Sequence, residues 1–299
     1  MMTTKILEQV QQMIPVGTLS ERTPVITLGR IFCTKYHRLH SVALPNTSAI
    51  FVLSGEKKVM SDGDTLPVGA GEVFICPASQ KFSIENNPDS ITQQYIALCL
   101  SFETDMIARV LSRQAESGRG NRAGRLSLEN LKMDSDDLLQ MSLKHLLEMI
   151  RHMPDNSHLL QLCMEELLVL IADSISVLPA LWEVASTWQA RCSGLVALDP
   201  ARKWTAGDIA RALGTSERTL RRHLQGEGAS IRNIMRDVRL GSALALLQTN
   251  TVTVGEAAYR HGYNSASRFA EVFREQFGVS PRDVLQCNAD LRQSLAESR

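Results

Sequence analysis

The stretch TAGDIARALGTSERTLRRHLQGEG, residues 205–228, has the pattern of two short helices joined by a tight turn. Gly214 can take the positive φ that ends a helix, and Ser216 is a residue type that caps the next one. A small residue at Ala210 and a large one at Leu220 suit two helices that cross at a steep angle. The spacing therefore predicts a helix-turn-helix unit.

The second helix of this unit has a basic face and an apolar face at about 100° per residue. Arginine can bond guanine O6 and N7, and glutamine can bond adenine, from inside a major groove. A solvated charged face is the alternative for this helix taken alone, and a second copy of the turn pattern favours DNA contact. The basic face holds Arg218, Arg221, Arg222 and Gln225, and the apolar face holds Leu220 and Leu224.

The second copy is VGEAAYRHGYNSASRFAEVFREQFG, residues 254–278. Gly262 follows a pair of alanines as the turn residue, and Ser265 is the expected cap of the next helix. The phenylalanines of that helix fall on one side, which predicts a core-facing surface. The opposite, polar side carries Ser267, Arg268 and Glu271.

Glu271 has two interpretations. A carboxylate can accept a hydrogen bond from cytosine N4, or it can pair with Arg268 or Arg274 and contact no base. The pairing is the favoured interpretation.

Residues 230–248, SIRNIMRDVRLGSALALLQ, predict one long helix between the two units. About 18 residues at 1.5 Å each give a rod of about 27 Å. That length is close to the ~34 Å of one DNA turn. One chain is therefore expected to contact two successive major grooves.

Charge is unevenly distributed along the chain. The 299 residues have a formal net charge of zero, which by itself argues against a nucleic-acid-binding protein. Residues 192–285, however, hold 13 basic and 9 acidic side chains. This excess of positive charge lies in the block with the two helix-turn-helix patterns, where it can meet phosphate.

Composition excludes several classes of protein. At 44% hydrophobic and 21% charged residues, the chain is neither disordered nor a disulfide-stapled miniprotein. No apolar run approaches the ~20 residues of a membrane span. The beginning of the chain is too polar for a secretory signal, so a cytoplasmic protein is expected. The six cysteines form no CxxC pair and are predicted to be free thiols, with a redox-sensing role left open.

The first part of the chain predicts a β domain followed by helices. Residues 1–12 have the pattern of a short helix, and residues 24–102 that of short strands punctuated by Gly and Pro. Such spacing is typical of a small antiparallel sandwich or barrel. Residues 103–178 predict helices interrupted by a polar loop at 116–130. One of these helices places five apolar residues on one face: Leu139, Leu143, Leu146, Leu147 and Ile150.

The C-terminal block resembles the AraC/XylS family of bacterial transcription regulators. The resemblance is carried by VRLGSALALLQ (238–248) and EAAYRHGYNSASRFAEVFREQFGVSPRDV (256–284). It implies two helix-turn-helix units joined by a helix, with activation as the expected mode of regulation. The base-contacting positions of the family match Arg218, Arg221 and Arg222 in the first unit and Ala266, Ser267, Arg268 and Glu271 in the second.

The last of these positions is often Arg in that family. Glu271 at that place predicts that the first recognition helix dominates DNA contact.

The N-terminal part resembles the cupin-like effector domain of one branch of the family. The matching segments are AIFVLSGEKKV (49–59), LPVGAGEVFICPAS (66–79) and YIALCLSF (95–102). Metal-binding cupins carry a His-x-His pair and a Glu just before the first segment. Here His37 and His40 are spaced by three and lie further upstream, so we expect no metal and no cofactor.

Taken together, these patterns predict an α+β protein. Residues 1–180 form a cupin-like antiparallel barrel or sandwich with helices, residues 182–285 an all-α domain with two helix-turn-helix units, and residues 286–299 a tail. The expected function is a sequence-specific DNA-binding regulator, not an enzyme. Its N-terminal domain senses a small molecule, dimerises, or does both.

The expected partners are double-stranded DNA, RNA polymerase, a small-molecule effector and a second copy of the chain; no membrane is expected. The apolar helices at 134–178 would pair two subunits. Backbone amides at the helix starts would hold phosphate. The phosphate contacts lie near Ser216 and Ser265 and at Arg202, Lys203 and Arg232.

Two alternatives stay open from sequence. One is a cupin-type enzyme with an accessory DNA-binding domain, although the chain has neither a Gly-rich phosphate loop nor a GxSxG elbow. The other is a regulator with no ligand, controlled by a partner protein. No effector-binding residue is assigned.

Overall fold

The computed structural model describes residues 27–116, 127–248 and 252–286. Nine strands are described there, all paired antiparallel. They are β1 (Thr27–Cys33), β2 (His37–Val42), β3 (Thr47–Ser54), β4 (Glu56–Ser61), β5 (Asp64–Gly69), β6 (Glu72–Cys76), β7 (Phe82–Asn87), β8 (Tyr95–Phe102) and β9 (Lys132–Asp134).

The strands form two sheets packed face to face. One has the order β1-β8-β3-β6-β9 and the other β2-β7-β4-β5. Every residue of β3 is buried, since this central strand is covered on both faces. The turn between β4 and β5 has positive φ at Asp62 and Gly63, as a two-residue hairpin requires. The predicted antiparallel β domain is confirmed.

Four helices follow β8 in the chain, interrupted by β9 after the first of them, and pack on the outer face of the five-stranded sheet. The predicted apolar face from Leu139 to Ile150 is buried in this cluster. This face packs within the chain, because the outer sheet face is itself apolar. The pairing of two subunits by the helices at 134–178 stays a prediction. These helices are α1 (Thr104–Glu116), α2 (Asp137–His152), α3 (Ser157–Ala172) and α4 (Leu178–Ser186).

Residues 128–134 differ from the sequence prediction. Loop and helix were expected there, but Leu128–Leu131 form a 3-10 turn and Lys132–Asp134 form β9 on the edge of the sheet. A three-residue strand is too short to show a period of two, so pairing with β6 decides its conformation.

The C-terminal part is helical. Its elements are α5 (Trp188–Leu198), α6 (Ala206–Ala212), α7 (Glu217–Gly226), α8 (Ile231–Gln248), α9 (Val254–Arg260) and α10 (Ala266–Phe277).

Helix caps define the two helix-turn-helix units as predicted. Ser216 and Ser265 accept hydrogen bonds from the amides of Thr219 and Arg268. Gly214 has φ +67° in the turn between α6 and α7. The turn between α9 and α10 contains Gly262, with φ +78°.

The second unit and the connecting helix lie against the β domain. A Cβ at Gly241 of α8 would lie 2.3 Å from the carbonyl oxygen of Ala43, so only glycine allows this approach. Gln276 Nε2 of α10 donates to the Ser41 carbonyl at 3.0 Å. The apolar interior between the two sheets continues into the aromatic core of this unit.

Some predicted features lie outside the described residues: the helix at 1–12, most of the polar loop at 116–130, nearly all of the tail and Cys287. The five cysteines that are described form no disulfide with one another. No helix in the described ranges is both long and apolar enough for a bilayer crossing.

Candidate DNA-contacting surface and effector cavity

Helix α7 has the two faces that the sequence predicts. Leu220 and Leu224 are buried in a cluster with α5, α6 and α8. The polar side is open to solvent along its whole length, and its exposed residues are Arg218, Arg221, Arg222 and Gln225.

Arg221 is held by a neighbour on the same helix. Its Nε and Nη2 donate to Glu217 Oε1 at 2.9 and 2.7 Å. Both side chains are exposed, so this pair is worth only about 0.3–0.5 kcal/mol. The Arg221 guanidinium can therefore leave Glu217 and bind a base edge or a phosphate at a small cost in free energy.

The predicted phosphate-contacting residues lie at or near helix ends in both units and in the first turn of α8. Ser216 precedes α7 and Ser265 precedes α10, which leaves the first amides of each helix at an exposed end. The Arg202 guanidinium stacks over the Trp204 ring, 4.1 Å from its centroid. Lys203 and Arg232 are exposed.

Helix α10 presents a less basic surface. Arg268 Nη1 donates to Glu271 Oε2 at 2.5 Å, which is the pairing favoured from the sequence. Ser267 is exposed beside them, and Ala266 is half-buried. The opposite side of α10 buries Phe269, Phe273 and Phe277.

A cavity of about 570 Å³ lies between the β domain and the C-terminal helices. Its walls come from both sheets, from the end of α5 and from α8 and α9. Most of the lining is apolar, and its basic residues are Arg30, Lys57, Arg260 and His261. This volume lies in the range of pockets that hold drug-sized ligands, roughly 300–1,000 Å³.

Lys57 is fully buried at this cavity. Its Nζ donates to Asn86 Oδ1 at 2.6 Å and lies 5.4 Å from the centroid of the Tyr95 ring. Burial lowers the pKa of Lys57 to about 8, so its ammonium is charged at neutral pH. The site therefore offers a buried positive charge without a carboxylate as hydrogen-bond partner among the described residues.

Arg30 is the second cation. It lies on β1 and is 7% exposed, and burial lowers its pKa to about 10. Its Nε and Nη2 have no hydrogen-bond partner in the described part of the chain. Buried guanidinium nitrogens of this kind are normally paired, and their chemistry suits a hydrogen-bond acceptor such as a carboxylate.

The histidines considered from sequence lie on β2. His37 begins the strand, where its Nε2 accepts from Asn86 Nδ2 at 3.3 Å, and burial lowers its pKa to about 4. His40 is exposed and packs against Gly278. Within the described ranges, no three His, Cys, Asp or Glu side chains are grouped to hold a metal ion.

Sequence reasoning did not assign the cavity residues. A signal for Lys57 existed, since it lies two residues before the inward-facing Val59 on β4, and residues two apart on a strand face the same side. The alternation does not show which apolar walls meet around it, because those walls belong to distant elements.

Two family models match the chain. A helix-turn-helix domain matches residues 209–286, and the ExsA N-terminal regulatory domain matches residues 47–176.

Similar proteins are transcriptional regulators. The urease operon transcriptional activator of Escherichia coli is 39% identical over 87 residues, 29% of each chain. The matched segments span between 29% and 57% of the length of such curated relatives.

Solved structures of ToxT from Vibrio cholerae share the fold. One has a TM-score of 0.58 at 17% identity and covers 89% of this chain and 98% of that one. A second, described as unsaturated fatty acid bound, has a TM-score of 0.55 at 17% identity and covers 87% and 94%.

Proposed function

Since this chain belongs to the AraC family of transcriptional regulators, we propose that it is a sequence-specific DNA-binding activator controlled by a small molecule. The observation that carries the proposal is the exposed basic face of α7, placed after a capped turn and backed by a separate apolar core. A helix in this setting can enter a major groove without loss of its own packing.

Base contact is assigned mainly to α7, through Arg218, Arg221, Arg222 and Gln225. Phosphate contact is assigned to the amides after Ser216 and Ser265 and to Arg202, Lys203 and Arg232. Helix α10 contributes Ser267 and Arg268, while Glu271 neutralises part of its charge. The contact of one chain with two successive grooves stays a prediction.

The effector is an amphiphile with an anionic head and an apolar body. Lys57 and Arg30 supply positive charge at a cavity whose remaining walls are largely apolar. The similar ToxT structure with bound unsaturated fatty acid supports this ligand class. A long-chain carboxylic acid would offset the cost of burying two cations and would remove apolar surface from water.

The predicted boundary between the effector and DNA-binding parts, residues 180–182, falls within α4 (Leu178–Ser186), so we propose that the boundary follows this helix. Dimerisation and contact with RNA polymerase are also part of the proposal. The outer surfaces of α2 and α3 expose apolar side chains that suit a second subunit: Leu138, Met141 and Leu162. A bacterial DNA-binding regulator acts in the cytoplasm, where the chromosome lies.

An enzyme with an accessory DNA-binding domain is the weaker alternative. The matched relatives are named as regulators, and the family model over residues 47–176 describes a regulatory domain. The fold itself hosts many functions, so this preference rests on the matched families and not on the barrel.

Selection of genomic DNA fragments by the purified protein tests the proposal. The selection is run at two salt concentrations, with and without oleate. A few discrete sites retained at the higher salt, with recovery altered by oleate, are expected. Uniform recovery that disappears at higher salt means phosphate attraction only and contradicts sequence-specific binding.

A further inference from the structure

Helix α5 contacts three parts of the molecule at once. Cys192 and Val196 pack with Leu220 and Leu224 in the core of the first helix-turn-helix unit. Other residues of the same helix contact the β domain and the cavity. A single rigid rod of 11 residues therefore joins the candidate effector site to the candidate DNA-contacting helix.

The beginning of α5 is attached to the end of α7. The Trp188 ring stacks on the His223 ring, with centroids 4.6 Å apart and planes inclined by 11°. The Glu227 carboxylate accepts from the backbone amides of Trp188 and Gln189, both at 2.8 Å. Glu227 is the C-cap residue of α7, so its carboxylate holds two free amides of one helix while its backbone ends the other.

The middle of α5 lies on the β domain. Ser193 Oγ and Ser79 Oγ are 2.6 Å apart, and Ser79 lies in the connection between β6 and β7. A Cβ at Gly194 would lie 3.2 Å from Asn46 Oδ1, so α5 is in close contact with the β domain just before β3. Ala190 packs in a small cluster with Ala78.

The end of α5 reaches the cavity. Ala197 and Leu198 are part of its lining, together with Asn46. Leu198 is 75% exposed, so a ligand in the cavity has room to bury apolar surface on this residue. A ligand that contacts this end of α5 would act on the whole helix, because a short helix moves as one body.

We propose that α5 transmits occupancy of the cavity to the first recognition helix, with Trp188 and Glu227 as the positioning residues that fix α7 to it. The inference rests on the proposed function, since it assigns the route by which that effector site regulates DNA binding. The stack and the carboxylate cap set the angle at which the arginines of α7 meet a groove.

The test measures how oleate changes the affinity of the full chain for a selected DNA site. Wild-type protein is expected to show a change of about tenfold, a usual size for coupling between sites. In Trp188→Ala and Glu227→Ala, the ratio of DNA affinities with and without oleate should differ from one by less than about twofold. The affinity of both variants for oleate in the absence of DNA should stay unchanged. Trp188→Phe, which keeps an aromatic ring, should restore most of the effect of oleate on DNA affinity.

Glu183→Ala is the matched control, because Glu183 is an exposed glutamate on the neighbouring helix α4. It should retain the wild-type ratio. If Glu227→Ala and Trp188→Ala also retain the wild-type ratio, α5 does not carry the signal.

A spectroscopic reading supplements the affinities. A protein with Trp182→Phe and Trp204→Phe retains Trp188 as its sole tryptophan. Its emission should change when oleate binds, because the stack on His223 is altered. Unchanged emission with oleate bound overturns the proposal.

Failure of the ligand assignment is distinguishable from failure of this inference. If wild-type protein does not bind oleate, the proposed ligand class is wrong. The role of α5 is then tested by DNA affinity in the absence of ligand. Glu227→Ala should then weaken specific binding by about fivefold while non-specific binding at low salt stays unchanged. Specific binding equal to that of wild type overturns the inference.

Discussion

The two helix-turn-helix units have the same turn and cap pattern but different surroundings. The first unit has its own apolar cluster, formed with α5 and the beginning of α8. The second shares the cluster that fills the space between the two sheets. Its recognition helix also hydrogen-bonds to β2 through Gln276 and pairs Arg268 with Glu271.

The two copies of the motif therefore differ in the surface that they expose and in the part of the molecule that they contact. The first unit exposes three arginines on a helix whose apolar side needs no support from the β domain. The second unit and the adjoining part of α8 form walls of the cavity, through Leu244, Arg260 and His261. We therefore expect the first unit to dominate DNA contact and the second to respond most directly to the ligand.

Truncation of the two cores gives the largest expected effects. Phe273→Ala should lower the free energy of unfolding by about 3–5 kcal/mol, and Leu220→Ala by about 2–5 kcal/mol. Phe273 belongs to the shared cluster, so its loss should also speed amide exchange in β2, whereas Leu220→Ala should affect only α5–α8. Urea unfolding and hydrogen exchange measure both. Equal exchange patterns in the two variants would contradict the difference between the units.

Loss of an arginine from α7 tests the predicted dominance of the first unit. Arg221→Ala or Arg222→Ala should reduce specific DNA affinity by about 1–3 kcal/mol without lowering thermal stability, because both side chains are exposed. Titration of a selected DNA site, with thermal melting as the control, gives the result. A larger loss from Ser267→Ala than from either arginine variant would assign dominance to α10 instead.

The pH dependence of oleate binding tests whether the cavity, which the second unit helps to form, binds an anion through Lys57. Lys57 has a pKa lowered to about 8 by burial, so it attracts an anion below that pH and is neutral above it. Affinity for oleate should fall by up to about tenfold per pH unit above pH 8. Lys57→Met should bind weakly and without this slope. An equal slope in that variant would show that another group titrates.

Several groups near Lys57 have pKa values that lie outside the interval between pH 7 and 9. The pKa of His37 is lowered to about 4, and those of Cys99 and Cys76 are raised to about 11 and 12. Burial also raises the pKa of Tyr95 and sets that of Arg30 at about 10. The remaining neighbour is Cys33.

Glu271→Ala gives the smallest expected effect. It releases Arg268, so non-specific DNA affinity should rise by less than about 1 kcal/mol. The slope of log affinity against log salt should become steeper by about one, as one more phosphate is contacted. Binding at several salt concentrations measures this. A fall in specific affinity would support the alternative, that Glu271 contacts cytosine N4.

Local features of the sequence predicted the C-terminal part closely. Caps at Ser216 and Ser265 and turns at Gly214 and Gly262 depend on neighbouring residues alone. Helical periodicity then separated the exposed arginines of α7 from its buried leucines. The antiparallel β domain was predictable for the same reason, since short strands and Gly-rich turns are local signals.

Other features needed the assembled chain. The strand at 132–134 exists because it pairs with β6, 60 residues away in sequence. The cavity is formed by walls from β1, β4, α5, α8 and α9, and periodicity cannot show that these meet. The sequence predicted that α2 has an apolar face, but periodicity alone does not show that α2 and α3 pack on the five-stranded sheet.

The amino-acid sequence by itself determined the two helix-turn-helix units, the basic face of the first and the β character of residues 27–102, because each depends on local caps and periods. Tertiary structure alone decided that Lys57 and Arg30 border one cavity. It also decided that the second unit closes this cavity and that α5 joins it to α7. These contacts link residues far apart in the chain, and packing of the whole core selects them.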